Sequence, residues 1–280
     1  HLRTRRQRQM CIRDRPNECL PQVVSDAQGY AWLASDKHLQ RVRVTEGWSL
    51  ARTIGSVRGE SPFSDRVTAL DFSPDGQTLA AGGGVPSRSG EILLLNVEDG
   101  RVLSKVADPH SDVVLCLRFS PDGESLASAA TDRFMKTFEV ATGKLIRGFE
   151  GHTHHVQGVA WSADGRTLAT SGSDQVIKVW NALTGDQLRT IQGFGKELTG
   201  VSFLGLSREV AASGGDRQVY LKNVDNGGNV RQMGGFPDYV YCVDASFDGN
   251  IIVGAGQDSV VRVWQRDGKV VVEFAPPTTP

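Results

Sequence analysis

Apolar residues in this chain come in short runs and in strict alternation, and the three- and four-residue spacing of an amphipathic helix is missing. Val176-Ile177-Lys178-Val179-Trp180 and Val260-Val261-Arg262-Val263-Trp264 each set one polar residue among β-branched neighbours, the pattern of a strand with two different faces. A second kind of strand is built from small residues, as in Leu79 to Gly84, Leu126 to Ala130, Thr167 to Ser171 and Val210 to Gly215. Such stretches suit inner strands crowded by neighbouring backbone near a central channel, and their glycines would weaken a helix.

Between the strands stand turn signals. In Phe72-Ser73-Pro74-Asp75-Gly76 the order Ser, Pro, Asp, Gly fits a type I turn, since Pro presets φ at its second position and Gly tolerates the exit. Ser120-Pro121-Asp122-Gly123 repeats it, Ser162-Ala163-Asp164-Gly165 replaces the Pro, and Ser246-Phe247-Asp248-Gly249 keeps the Asp-Gly pair. Phe119, Trp161, Phe203 and Ala245 follow one another at 42 residues, and Phe72 precedes Phe119 by 47 because one loop is longer. Ala31 to Val44 with Leu50 to Ile54 reads as a worn sixth copy. A period of about 40 to 45 residues with strand, turn and strand in each copy predicts stacked four-stranded antiparallel blades. The expected fold is an all-β propeller of six visible blades, in a ring of six or of seven.

The residues that carry a family likeness are Gly151-His152 ahead of a first strand, Ser171 and Asp174 in the second strand and its turn, and Trp180 ending the third. Together they resemble the WD-repeat (tryptophan-aspartate) family, over residues 20 to about 275. The resemblance implies that His152, Ser171, Asp174 and Trp180 form a buried hydrogen-bonded tetrad, complete only in this blade. Asp132, Asp216 and Asp258 keep the turn aspartate of other copies, while Phe138 and Lys222 stand where Trp would and Ala129 where Ser would. The compact FSPDG turns and TLA strands look most like bacterial members, including large propeller proteins that accompany cytochrome-type domains.

Charge divides the chain. Six of the 31 basic residues and one of the 32 acidic residues fall within the first 15 positions, leaving 25 against 31 and a net charge of −6 for the rest. Residues 1–19 are therefore set apart as a basic, non-native or disordered tail, and residues 20–280 as the propeller. The acidic body argues against nucleic acid as a partner, and no apolar run is long enough for a membrane helix. Cys11, Cys19, Cys116 and Cys242 have no Cys-x-x-Cys spacing, so neither zinc nor covalent haem is indicated; Cys116 and Cys242 share a repeat position and read as small apolar residues.

Catalytic chemistry finds little foothold. His152-Thr153-His154-His155 is the one histidine cluster, but the tetrad claims His152, and neighbours in an extended chain point apart. Ser171, His152 and Asp174 could be drawn as a nucleophile triad, yet the family likeness makes them structural. The expectation is no enzyme, no metal and no cofactor.

What remains is recognition. The resemblance implies a docking face at the loops leading into each first strand, where residues flank the apolar anchors Val67, Val114, Val156, Leu198 and Val240. It places Arg66, Thr68, Val113, Leu115, His155, Gln157, Glu197, Thr199, Tyr239 and Tyr241 there, with the tyrosines and Val113 and Leu115 as apolar anchors for a protein or peptide. The sequence thus reads as a monomeric, soluble, non-catalytic interaction scaffold, cytoplasmic or periplasmic. The other reading is the propeller of a larger exported protein with a cytochrome-type redox domain.

Overall fold

The computed structural model describes residues 51–56 and 60–275 in full, and before them the backbone of strands within 23–50. The basic tail, with Cys11 and Cys19, lies outside the described residues. Among the described residues there is no helix, and the strands form six four-stranded antiparallel sheets. The first holds β1–β4 (Val23–Ser25, Tyr30–Ser35, His38–Arg43, Ser49–Ile54) and the second β5–β8 (Val67–Phe72, Thr78–Val85, Ser89–Asn96, Val102–Lys105). The third is β9–β12 (Val114–Phe119, Ser125–Ala130, Met135–Glu139, Leu145–Phe149) and the fourth β13–β16 (Val156–Trp161, Thr167–Gly172, Ile177–Asn181, Gln187–Ile191). The fifth is β17–β20 (Leu198–Phe203, Glu209–Gly214, Val219–Asn223, Asn229–Met233) and the sixth β21–β24 (Val240–Ala245, Ile251–Gly256, Val261–Gln265, Val270–Phe274). Each sheet runs in chain order, so each is one repeat of the sequence, and this is the blade architecture of a β-propeller.

The Ser-x-Asp-Gly turn joins the first two strands. The Ser73 hydroxyl donates to Asp75 (2.5 Å), and Asp75 in turn accepts the Gln77 N–H (3.0 Å) while Gly76, at φ 70°, returns its N–H to the Ser73 carbonyl (2.8 Å). Ser120 with Asp122, Ser162 with Asp164 and Ser246 with Asp248 reproduce it at 2.5 Å. These bonds hold Asp75, Asp122 and Asp164 below the usual carboxylate range, the serine hydroxyl being the largest cause.

Successive blades meet through their first strands, β5 against β9, β9 against β13, and so on to β21. Small residues of the second strand make room for this. A Cβ on Gly82 of β6 would lie 2.9 Å from both Val114 and Leu117 of β9 in the next blade. The apolar layer between blades is continuous: Ala160, Ala169, Ile177, Val179 and Ile191 of the fourth blade pack with Leu198, Val201, Phe203, Val210 and Tyr220 of the fifth. Each such Ile, Val or Leu, fully buried, contributes about 1.5–3 kcal/mol. In the sixth blade burial becomes one-sided: Val240, Val243, Ile252 and Trp264 are buried against the fifth blade, whereas Val253, Val261 and Val263 of the other face are half-buried.

Candidate functional site

Four residues before each anchor of a first strand comes one side chain that closes the blade: Phe63, His110, His152, Phe194 and Phe236. All five are buried. His152 sits between two partners. Its Nδ1 lies 2.9 and 3.0 Å from the two oxygens of Asp174, and its Nε2 lies 2.7 Å from the Thr170 hydroxyl. Trp180 Nε1 donates to that same hydroxyl at 2.9 Å. A carboxylate can only accept, so Nδ1 carries a proton; with the imidazole neutral, Thr170 donates to Nε2 while accepting from Trp180. The chain of donors therefore runs from Trp180 through Thr170 and His152 to Asp174, which also accepts the Thr153 N–H at 2.9 Å.

This replaces Ser171 by Thr170 in the expected tetrad. The physical reason is strand alternation: a shift of one residue in β14 moves a side chain to the opposite face. Ser171 is fully buried, and its Oγ has no hydrogen-bond partner among the described residues. The same shift hid a second network. His110 meets Asp132 through Nδ1 (2.9 Å) and Ser128, not the position of Ala129, through Nε2 (2.6 Å), with the Phe138 ring edge-on at 6.5 Å where Trp180 stands in the next blade. Burial lowers the His110 pKa more strongly than Asp132 raises it. At both aspartates burial works upward, and the histidine together with backbone N–H groups, of Phe134 and Ser111 at Asp132 and of Thr153 at Asp174, outweighs it, so Asp132 and Asp174 lie below the usual carboxylate range.

Where the closing residue is phenylalanine, the hydroxyl is gone too. Cα registers set Ala81, Ser128, Thr170, Ala212 and Gly254 at equivalent places, so Phe63, Phe194 and Phe236 go with Ala, Ala and Gly, and the two histidines with Ser and Thr. A phenyl ring cannot satisfy a buried hydroxyl, and a small residue leaves room for the ring. The turn aspartates of these blades find other donors. Asp216 accepts a short hydrogen bond from the Tyr220 hydroxyl, and burial and Asp216 push that phenol up to about 12. Asp258 takes Arg262 Nη1 at 2.7 Å, and the Arg262 guanidinium lies 4.4 Å above the Phe236 ring. Lys222, buried in the Trp position, lies 5.0 Å over Phe194, and burial lowers its pKa.

The expected docking residues separate into three groups. Val113 and Leu115 are buried, at 8% and 7% exposure, so they are not surface anchors. Thr68 and Thr199 are half-buried staples: Thr68 donates a short hydrogen bond to the Val114 carbonyl, and Thr199 donates to the Val240 carbonyl at 2.7 Å, each reaching the next blade. Since the single Thr199 proton is committed there, Ser213 Oγ, 2.7 Å away, donates to Thr199. Gln157 donates to Ser173 (2.9 Å), and half-buried His155 packs on His154 at 4.4 Å, its pKa lowered by burial and by His154. Arg66 and Glu197 are half-buried beside their strands.

Tyr239 and Tyr241 form the third group. Val240 between them is fully buried, while both rings lie half-buried on the other side with centroids 5.8 Å apart at 33°. The Tyr239 ring rests on Gly215 of the fifth blade, where a Cβ would come within 2.5 Å of its Cζ. Tyr241 hydrogen-bonds Gln257 Oε1 through its hydroxyl at 3.1 Å.

Deeper along the same strands is a charged cluster that sequence reasoning passed over. Arg118 lies 3.7 Å from Asp71 and in the field of Asp244, itself bonded by Ser202 at 2.8 Å. Burial pushes Asp71 up to about 6, against the pull of Arg118 and of the Phe119 N–H it accepts at 2.7 Å. The signal was available: Asp71, Arg118, Ser202 and Asp244 occupy one repeat position in strands otherwise apolar. Cys242, read with Cys116 as a small apolar residue, is exposed, and Cys116 is half-buried; both are free thiols. Among the described residues no three His, Cys, Asp or Glu side chains converge as a metal site.

The model of the WD domain, G-beta repeat matches residues 52–93, 101–139, 143–181 and 227–265, more than half of the chain. The protein belongs to the WD-repeat family. The WD-repeat match passes over 182–226, the stretch in which Phe194, Ala212 and Lys222 stand in place of His, hydroxyl and Trp. Comparison with curated proteins finds no match. WD-repeat propellers generally bind proteins or peptides, and the family is typically non-catalytic.

Proposed function

We propose that this WD-repeat chain is a non-catalytic scaffold that docks a protein or peptide on the face formed by the loops leading into the first strands. The observation that carries the reading is the Tyr239–Tyr241 pair, two half-buried rings 5.8 Å apart at the junction of the fifth and sixth blades. Rigid amphipathic rings lose little rotamer freedom on docking and recur as the residues that dominate interface energy. The histidine and aspartate side chains that a catalytic reading would need, His110 with Asp132 and His152 with Asp174, are committed to one another inside the blades.

The test is affinity capture from the source organism followed by calorimetry on the captured partner. Tyr239→Ala with Tyr241→Ala is expected to weaken binding by roughly 2 to 4 kcal/mol with little change in folding. Unchanged affinity in a folded double variant rejects this face.

A further inference from the structure

The chain repeatedly sets cations over aromatic rings. Arg262 lies 4.4 Å above Phe236, and Lys222 lies 5.0 Å from Phe194 and 6.0 Å from Tyr220. Among the described residues no cation lies over Tyr239 or Tyr241, although both rings are only half-buried and a carboxylate stands next to them in the chain. Asp238 is exposed, and one of its oxygens accepts the backbone N–H of Tyr239 at 2.8 Å, which ties the carboxylate to the start of the strand that carries both rings. Its negative charge also reaches the second ring: burial first and then Asp238 push the Tyr241 phenol up.

The pair is pre-arranged. Gly215 seats Tyr239 and Gln257 holds the Tyr241 hydroxyl, so neither ring must be ordered when a ligand arrives. The ring faces carry the negative lobe of the aromatic quadrupole, and the neighbouring carboxylate adds a full charge of the same sign. Such a surface discriminates by charge as well as by shape.

We propose that Tyr239, Tyr241 and Asp238 form the subsite that takes a cationic side chain, arginine or lysine, of the docked segment; this rests on the reading that this face docks a protein. Charge complementarity selects that occupant over an apolar or acidic one.

The experiment is an NMR titration of the full chain with acetyl-Gly-Arg-Gly-amide, its lysine counterpart, and the uncharged citrulline counterpart, following the tyrosine ring signals. The cationic peptides are expected to bind about threefold to tenfold more tightly than the citrulline peptide. Asp238→Asn should narrow that ratio, and Tyr239→Leu with Tyr241→Leu, which keeps apolar area, should abolish it. Gly215→Ala, whose Cβ would lie 2.5 Å from the Tyr239 Cζ, should displace the ring and lower the ratio while retaining both tyrosines. Equal binding of the charged and citrulline peptides overturns the proposal, as does a ratio that survives in the double leucine variant. A captured partner that needs the tyrosines but binds the leucine variant equally well would leave the docking face standing and remove the cation.

Discussion

Thr170→Val and Ser171→Ala, neighbours in one strand, test whether the hydrogen-bonded core of the fourth blade is assigned to the correct hydroxyl. Val keeps the branched shape of Thr but removes the oxygen that accepts from Trp180 at 2.9 Å and meets His152 at 2.7 Å. Two buried polar groups then lose their partner, each at about 1 to 3 kcal/mol, so the variant should lose roughly 2 to 4 kcal/mol after partial relaxation. Ser171→Ala removes an oxygen that is buried and bonded to nothing among the described residues. That change should be neutral or stabilise by up to about 1 kcal/mol, since a desolvated hydroxyl disappears and no bond is broken. Chemical denaturation followed by tryptophan fluorescence measures both, a fall in midpoint at unchanged slope reporting lost stability. Equal losses in the two variants, or a larger loss for Ser171→Ala, would refute the assignment and return the network to Ser171.

Three further outcomes are expected. His152→Ala should destabilise by about 1 to 3 kcal/mol, because Asp174 and Thr170 both lose their partner, while His154→Ala should cost far less; equal denaturation midpoints would contradict the buried network. Asp71, whose pKa rises from 3.8 to about 6 on folding, holds its proton more tightly in the folded state, so its contribution to stability falls as pH rises from about 4 to about 6. Asp71→Asn should therefore gain on the parent protein by about 1 to 3 kcal/mol across that window, read from denaturation midpoints at pH 4 and pH 7; a gap that does not change with pH would refute the shift. Arg262→Met, which keeps an apolar stem over Phe236 but leaves Asp258 without its 2.7 Å partner, should cost about 1 to 3 kcal/mol by the same denaturation assay. Its refutation would be a stability equal to the parent's.

The repeat was legible because it is written in residues with few substitutes: Asp-Gly at the turn, small residues in the second strand, and an anchor such as Val156 or Leu198 that must be apolar. Strand order followed, since consecutive strands joined by tight turns can only pair in sequence. Resolution failed at a single residue within strands. Ser171 and Thr170 both bear a hydroxyl, and only the register that faces Thr170 toward Trp180 separates them, which composition does not encode. Val113 and Leu115 show the same limit: strand alternation sets them on the side opposite the buried Val114, but the sequence does not state that this side too is covered. The Arg118 cluster went unseen because its partners come from strands far apart in the chain, joined only when the blades converge.

The pairing of His with a hydroxyl, and of Phe with Ala or Gly, also bears on how such a chain can change over generations. Exchanging His152 for Phe alone strands Thr170 and Asp174, and exchanging Thr170 for Ala alone strands His152 and Trp180, so a path between the two solutions by single steps crosses a destabilised intermediate. All four partners lie within residues 152–180, inside one repeat. Recombination at the outer loops therefore carries the whole set across intact, while a crossover within the second strand would join incompatible halves. A blade exchanged whole keeps its matched set, and histidine and phenylalanine blades can then stand side by side in one chain, as they do here.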